Sequence, residues 1–272
     1  MEYVEHPPTP LEGIPDILYK YRTISENTFD ILQYNRVYLP SPDQFNDPFD
    51  CAIPFKYKPE DLTEENVYIK LRQLGRQIWP EISEEELEAK CYERQKSGAF
   101  ESGEYWKAEH EYTLKELNRR FGVLSLTYNP THQLMWSHYT DSHKGICVGF
   151  DKFKLYKSLN GTLGRVIYSE SNEFPTLGLF DESDRYLIQL LFTKSNVWKY
   201  EDEFRLVVSG GSRKIFKLIS GCINTVYLGC KISDRDAQTV LDILRTNQPT
   251  VRVFQLQASL DKFELIEIPL LT

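Results

Sequence analysis

"GVLSLTY" (122–128), "HQLMWSHYTD" (132–141) and "GICVGF" (145–150) follow one another with only short polar breaks between them. The first reads as a strand and the second fits one to two helical turns. The third is a nearly continuous apolar run, as expected of a strand covered on both faces. This stretch therefore predicts a sheet in the middle of the chain, with a short helix and a turn carrying Trp136, His138, Tyr139 and His143 against it.

Similar patterns extend on both sides. Upstream, "DILYKYRT" (16–23) alternates like a strand, "SENTFDILQYN" (25–35) reads as a short helix with Ser25 at its N-cap, and "RVYLPSP" (36–42) is a strand ended by proline. "DQFNDPFDC" (43–51) is a loop with turn chemistry at Asn46-Asp47-Pro48. Residues 1–12 read as a loose N-terminal tail. Residues 59–121 are charged and poor in β-branched residues, with helix starts at Thr63 and Ser83, and Glu86 completes a capping box with Ser83. "EYWKAEHEYTLKELNRRF" (104–121) is the third helix of that block, which reads as an insertion within one domain.

Downstream, "LGRVIYS" (163–169), "EFRLVVS" (203–209), "RKIFKLI" (213–219) and "INTVYLG" (223–229) read as strands. "ESDRYLIQLLFTKSNVW" (182–198) reads as an apolar-rich helix, and "SDRDAQTVLDILRTN" (233–247) as an amphipathic one capped by Ser233 or Asp234. "VRVFQLQAS" and "KFELIEIPL" close as a strand pair. Short turns between the late strands point to a mixed, largely antiparallel sheet with flanking helices, an α+β fold.

Composition limits the function classes. With 272 residues and 41% hydrophobic content, the chain can bury one large core. No apolar run approaches the ~20 residues of a membrane span, so no membrane partner is expected. "MEYVEHPPTP" has neither a basic nor an apolar segment, so no signal peptide is expected and the default location is the cytoplasm. A net charge of -8 argues against broad, non-specific nucleic-acid binding. Five cysteines without a C-x-x-C argue against a disulfide framework or a zinc ribbon.

Four constellations carry candidate chemistry. Lys20 and Arg22 alternate with Tyr19 and Tyr21 on the first strand, so one face presents cations and the other aromatics. Arg22 suits a phosphate fork; a solvated edge strand is the structural alternative. "FNDPFD" sets Asn46 and Asp47 between Phe45 and Phe49, either as a ligand-shaping loop or as an Asx-Pro turn with two apolar pegs. His138 and His143 lie five apart, unlike a helical i, i+4 metal pair, so no metal is expected; they suit hydrogen bonding or stacking instead. "KSNVWKYEDEFR" (194–205) holds Glu201 and Glu203 as an E-x-E entering a strand, after Trp198 and Tyr200 and before Arg205. Two neighbouring carboxylates raise one another's pKa, which suits acid–base work. An ionic ladder on a solvated face is the plainer reading.

Taken together, "LYKYR", "LPSPDQFNDPFD", "VLSLTYNPTHQLMWSHYTDSHKGICVGFD", "VIY" and "FTKSNVWKYEDEFRLV" resemble an uncharacterised bacterial group, domain-of-unknown-function family 2971, over about 18–268. That resemblance implies no activity. The order Arg22, Ser125-Leu126-Thr127, Glu201-Asp202-Glu203 is also similar to ADP-ribosyltransferases of the Arg–Ser–Glu type. This second resemblance implies NAD as cosubstrate, Arg22 gripping its pyrophosphate, Ser125 steadying the nicotinamide ribose or positioning the glutamate, Glu203 stabilising the transition state and Glu201 orienting an acceptor. His138 joins this catalytic set. Lys20, Tyr21, Asn46, Asp47, Trp136, Tyr139, His143, Trp198 and Arg205 complete the expected cofactor-binding wall. The middle motif ends in Thr127 rather than Ser. The implied activity is transfer of ADP-ribose to a protein or nucleic acid, or hydrolysis of NAD, in a toxin or phage-defence effector. The alternatives are a non-catalytic nucleotide or small-molecule binding module of a defence or signalling system, and a hydrolase holding a metal on Asp47, Asp50 and Glu203.

Overall fold

The computed structural model describes residues 11–54, 56–100, 102–171, 173–181 and 183–271. Residues 1–10 of the expected tail lie outside them. In chain order the elements are β1 (Ile17–Arg22), α1 (Glu26–Tyr34), β2 (Arg36–Leu39), β3 (Lys56–Tyr57), α2 (Glu64–Ile78), α3 (Glu84–Lys96), α4 (Gly103–Arg120) and β4 (Phe121–Thr127). These are followed by α5 (Gln133–Tyr139), β5 (Ile146–Asp151), α6 (Lys152–Leu159), β6 (Thr162–Arg165), β7 (Ile167–Ser169) and β8 (Thr176–Leu177). The chain continues through α7 (Ser183–Phe192), β9 (Thr193–Ser195), β10 (Glu203–Ser209), β11 (Lys214–Lys217), β12 (Ile223–Leu228), α8 (Asp234–Asn247), β13 (Arg252–Ala258) and β14 (Leu265–Leu271).

Eight strands form one sheet in the order β14-β13-β12-β5-β1-β4-β10-β6. Every pairing in it is antiparallel except β12 with β13, so the sheet is mixed and mostly antiparallel, as the short late turns imply. The fold is α+β. One face packs Leu18, Leu124, Leu126, Val148, Phe204 and Leu206 against Ile31 and Leu32 of α1, Leu155 of α6 and Val240 and Leu244 of α8. The other face is divided. Tyr21, Cys147 and Tyr227 meet Met135 and Trp136 of α5, while Val123 and Val207 meet Leu117 of α4 and Leu190–Phe192 of α7.

Local chemistry starts the helices. Thr63, Ser83, Ser102 and Ser233 each accept a first-turn N–H, satisfying a donor that the helix cannot. Ser25 occupies the N-cap of α1, but its hydroxyl bonds Thr28 Oγ1 instead. Helices α2 and α3 share their own small core, built from Val67, Leu71, Leu87 and Cys91 with Leu179.

Two expected elements break where the site is built. The strand expected over 163–169 divides at Val166, whose N–H donates to the Glu203 carbonyl at 2.9 Å. The helix expected over 182–198 ends at Phe192. Thr193–Ser195 instead pairs in parallel with β7, and a 3-10 turn over Asn196–Glu201 leads into β10. The physical reason is the pairing of Thr193–Ser195 with β7, which also fixes the facing of Lys194. A strand holds its side chain among buried carboxylates, whereas a continued helix would swing successive positions around its axis.

β1 and β4 separate soon after they meet. Their register contains one pair, Tyr19↔Thr127, whereas β1 and β5 pair along all six residues from Ile17 to Arg22. Gly149 seats the Tyr19 ring, since a Cβ there would lie 2.7 Å from a Tyr19 ring carbon.

Candidate functional site

Where β1 leaves β4, a cavity of about 350 Å³ opens in the plane of the sheet. Because it lies in that plane, side chains of both strand faces reach it: Tyr19, Lys20 and Tyr21 from β1, and Ser125 and Leu126 from β4. Lys20 Nζ donates to the Ser125 carbonyl at 3.0 Å, so a side chain spans the gap where the main-chain ladder has stopped. The loop after β2 adds Phe45, Asn46 and Asp50, α5 adds Met135, His138 and Tyr139, and the far wall is Lys194, Glu201 and Glu203.

That far wall is a buried charge network. Lys194 Nζ lies 2.5 Å from Glu201, 3.1 Å from Glu203 and 3.4 Å from Asp50. Arg205 is fully buried. Its Nε donates to Glu203 Oε1 at 2.8 Å, one terminal nitrogen donates to both Asp50 oxygens at 2.7 Å, and the other reaches the Leu191 carbonyl at 2.7 Å. Phe45 covers the guanidinium face at 5.6 Å. Both carboxylates of the E-x-E thus reach one ammonium, though not through strand alternation. Glu201 ends the 3-10 turn and Asp202 takes a left-handed φ of 44°, so β10 begins at Glu203.

The two glutamates are pushed in opposite directions. Burial opposes the charge of Glu203, yet Arg205 and Lys194 beside it, with the Ser125 hydroxyl, hold its pKa down to about 2. Burial raises Glu201, and Lys194 and the Tyr139 hydroxyl, donating at 2.5 Å, offset this only in part. Burial also works against Lys194, but Glu203, Asp50 and Glu201 overcome it and raise its pKa. Lys20 has no such carboxylate contact. Burial, and then the nearby Arg22 charge, bring it down to about 8.

Of the residues singled out in the sequence, Lys20, Tyr21, Asn46, Ser125, His138, Tyr139, Glu201 and Glu203 line this cavity. Arg22, expected to grip a pyrophosphate, is not among the lining residues. The register puts Tyr19, Thr127 and Glu203 in one row; Lys20 and Arg22 share the opposite strand face, and Arg22, two residues beyond Lys20, pairs with Ile146 at the end of β1. Its Nε is buried without a hydrogen bond among the described residues. Trp136 is also set apart from the cavity: it is wholly buried, donates to the Pro130 carbonyl at 2.8 Å and packs edge-on against Tyr21. His143 stacks on Trp136 at 6.4 Å, at the end of three consecutive left-handed residues, Asp141–His143. Arg205 lies behind Glu203 rather than in the wall, and Trp198 covers Lys194 at 5.0 Å. Asp47 Oδ1 accepts from the Phe49 N–H, closing the Asx turn. Of the alternative metal set, Asp50 and Glu203 come together, and Asp47 does not line the cavity. Arg205 and Lys194 occupy the oxygens of Asp50 and Glu203, and no metal-binding group of three His, Cys, Asp or Glu occurs among the described residues.

Lys194 and the part played by Asp50 were missed in the sequence. Lys194 opens "KSNVWKYEDEFR", seven residues before Glu201, but a helix assigned through 198 hid its facing. No helix among the described residues is long and apolar enough to cross a membrane.

Residues 135–206 match the family model described as Protein of unknown function (DUF2971). This span runs from α5 to β10 and holds His138, Tyr139, Lys194, Glu201, Glu203 and Arg205, whereas Lys20, Asp50 and Ser125 lie outside it. No curated protein and no solved structure matches the chain.

Proposed function

We propose that the cavity binds a nucleotide of the NAD type and acts on its ribosyl centre, hydrolysing it or transferring ADP-ribose to a protein or nucleic acid. One observation carries this reading: two carboxylates share one ammonium in one cavity, with pKa values displaced in opposite directions. Such a pair divides acid–base work from charge stabilisation. The volume lies in the ~300–1,000 Å³ range of small-molecule sites. Tyrosine rings and His138 offer flat walls, and Lys20 offers a positive charge not matched by a carboxylate contact.

In this reading Lys20, not Arg22, faces the anionic part of the ligand. NAD supplies a glycosidic bond whose cleavage leaves positive charge on the ribose. Glu203, held ionised by Arg205 and Lys194, presents a fixed negative charge toward that centre. Glu201, with its raised proton affinity, accepts the proton of the incoming water or acceptor hydroxyl, and Tyr139 steadies the carboxylate that does so. NAD consumption of this kind suits a bacterial toxin or phage-defence effector.

A second reading draws on the saturation of Glu203. Arg205 and Lys194 already bond its oxygens, which favours a module that binds a nucleotide without turnover. Chromatographic NAD consumption and calorimetric ADP-ribose binding separate the two. The enzyme reading expects turnover in the wild type that falls at least about 100-fold in Glu201→Gln, while binding persists. Binding without turnover in the wild type supports the second reading, and absence of both overturns the pair.

A further inference from the structure

The cavity holds two lysines in opposite circumstances. Lys194 touches three carboxylates and is committed as their counter-ion. Lys20 makes one hydrogen bond, to the Ser125 main-chain carbonyl, and among the described residues no carboxylate is in salt-bridge contact with it. We infer that Lys20 is a nucleophile, and that its Nζ forms an imine with a small hydroxyaldehyde, such as an open-chain sugar, that enters the cavity.

Three features support this. An amine withdrawn from water beside a second cation is the general setting in which lysine becomes a carbonyl nucleophile. Arg22 is that cation, two residues along the strand, and it acts with burial to bring Lys20 to about 8, against the opposing influence of Glu203 and Glu201. The cavity also supplies a proton carrier in Glu201 with Tyr139. Finally, the wall discriminates among carbonyl compounds. Asn46, Gln44, Ser125 and the tyrosines can bond hydroxyl groups, while Asp50, Glu201 and Glu203 disfavour an incoming carboxylate.

The step balances without a co-reactant. The lone pair of the neutral amine forms the N–C bond, and the carbonyl oxygen becomes a hydroxyl. That hydroxyl leaves as water, taking the second amine proton by way of Glu201, and a C=N bond remains. Hydrolysis reverses the step.

The inference does not depend on NAD turnover, and its test does not measure it. The full chain is incubated with glycolaldehyde, reduced with cyanoborohydride and mapped by peptide mass spectrometry. At pH 8 the adduct is expected on Lys20 at least about tenfold faster than on the exposed Lys58 and Lys199. The Lys20 rate should rise through about pH 8, and pyruvate should label more slowly than glycolaldehyde. Lys20→Arg and Lys20→Gln, each checked for native circular dichroism, should lose that adduct alone. Labelling of exposed lysines with Lys20 untouched, or a Lys20 profile that rises only with theirs, would overturn the inference.

Discussion

The two sides of the cavity carry similar residue types and opposite physics. On the β10 side, Arg205 and Lys194 are surrounded by Asp50, Glu201 and Glu203, with nearly every donor and acceptor engaged. On the β1 side, Lys20 has one carbonyl for a partner, and the strand that carries it has already parted from its neighbour. The first side is held by mutual pairing, Lys194 with three carboxylates and Arg205 with two. The second is chemically available because little holds it. A site needs both: a framework that fixes charge, and a group free to meet a ligand.

This contrast can be broken most strongly at Arg205. Arg205→Ala strips Asp50 and Glu203 of one of the two cations they share, and should cost about 3–5 kcal/mol in urea unfolding. Lys20→Met, by contrast, should cost less in the same measurement, about 1.5–3 kcal/mol, since it removes a single hydrogen bond from a charged donor. Gly149→Ala comes next in size. The added methyl displaces the Tyr19 ring, an overpacking cost of about 1–3 kcal/mol visible as a lower Tm.

pH sharpens the comparison. Glu203 has a folded pKa of about 2 against an ordinary 4.5, so its stabilisation is complete above 4.5 and is lost as pH falls toward 2. Acid titration followed by fluorescence should show that loss in the wild type, and Glu203→Gln should lack this component. Lys20 works on the other side of neutrality. Its charge disappears as pH rises through about 8, so ADP-ribose should bind more weakly at pH 9.5 than at pH 7 in calorimetry. Lys20→Arg should flatten that dependence. The smallest effect is expected at His138. It is exposed, so His138→Ala should leave unfolding within about 0.5 kcal/mol of wild type.

The sequence made the strands and caps readable because their signals are local. Ser83, Thr63 and Ser233 act within one helical turn, and "GICVGF" declares its burial by composition alone. Half of the cavity was readable for a related reason: Glu201, Glu203, His138 and Tyr139 sit in dense aromatic and acidic clusters. How far along β1 the cavity extends was not readable, because it depends on where β1 leaves β4 rather than on alternation within β1. Lys194 was hidden by a helix that looked continuous. Only the parallel pairing of β9 with β7, across residues far apart in the chain, ends that helix at Phe192.

The single Tyr19↔Thr127 register pair has a mechanical consequence. Beyond it the aperture between β1 and β4 is closed by the Lys20–Ser125 bond rather than by a ladder. Widening the aperture therefore loads side-chain bonds, Lys20 to the Ser125 carbonyl and Tyr21 to the Asn129 carbonyl, rather than the β1–β5 and β4–β10 ladders on either side. The size of ligand admitted is set separately from the stability of the sheet.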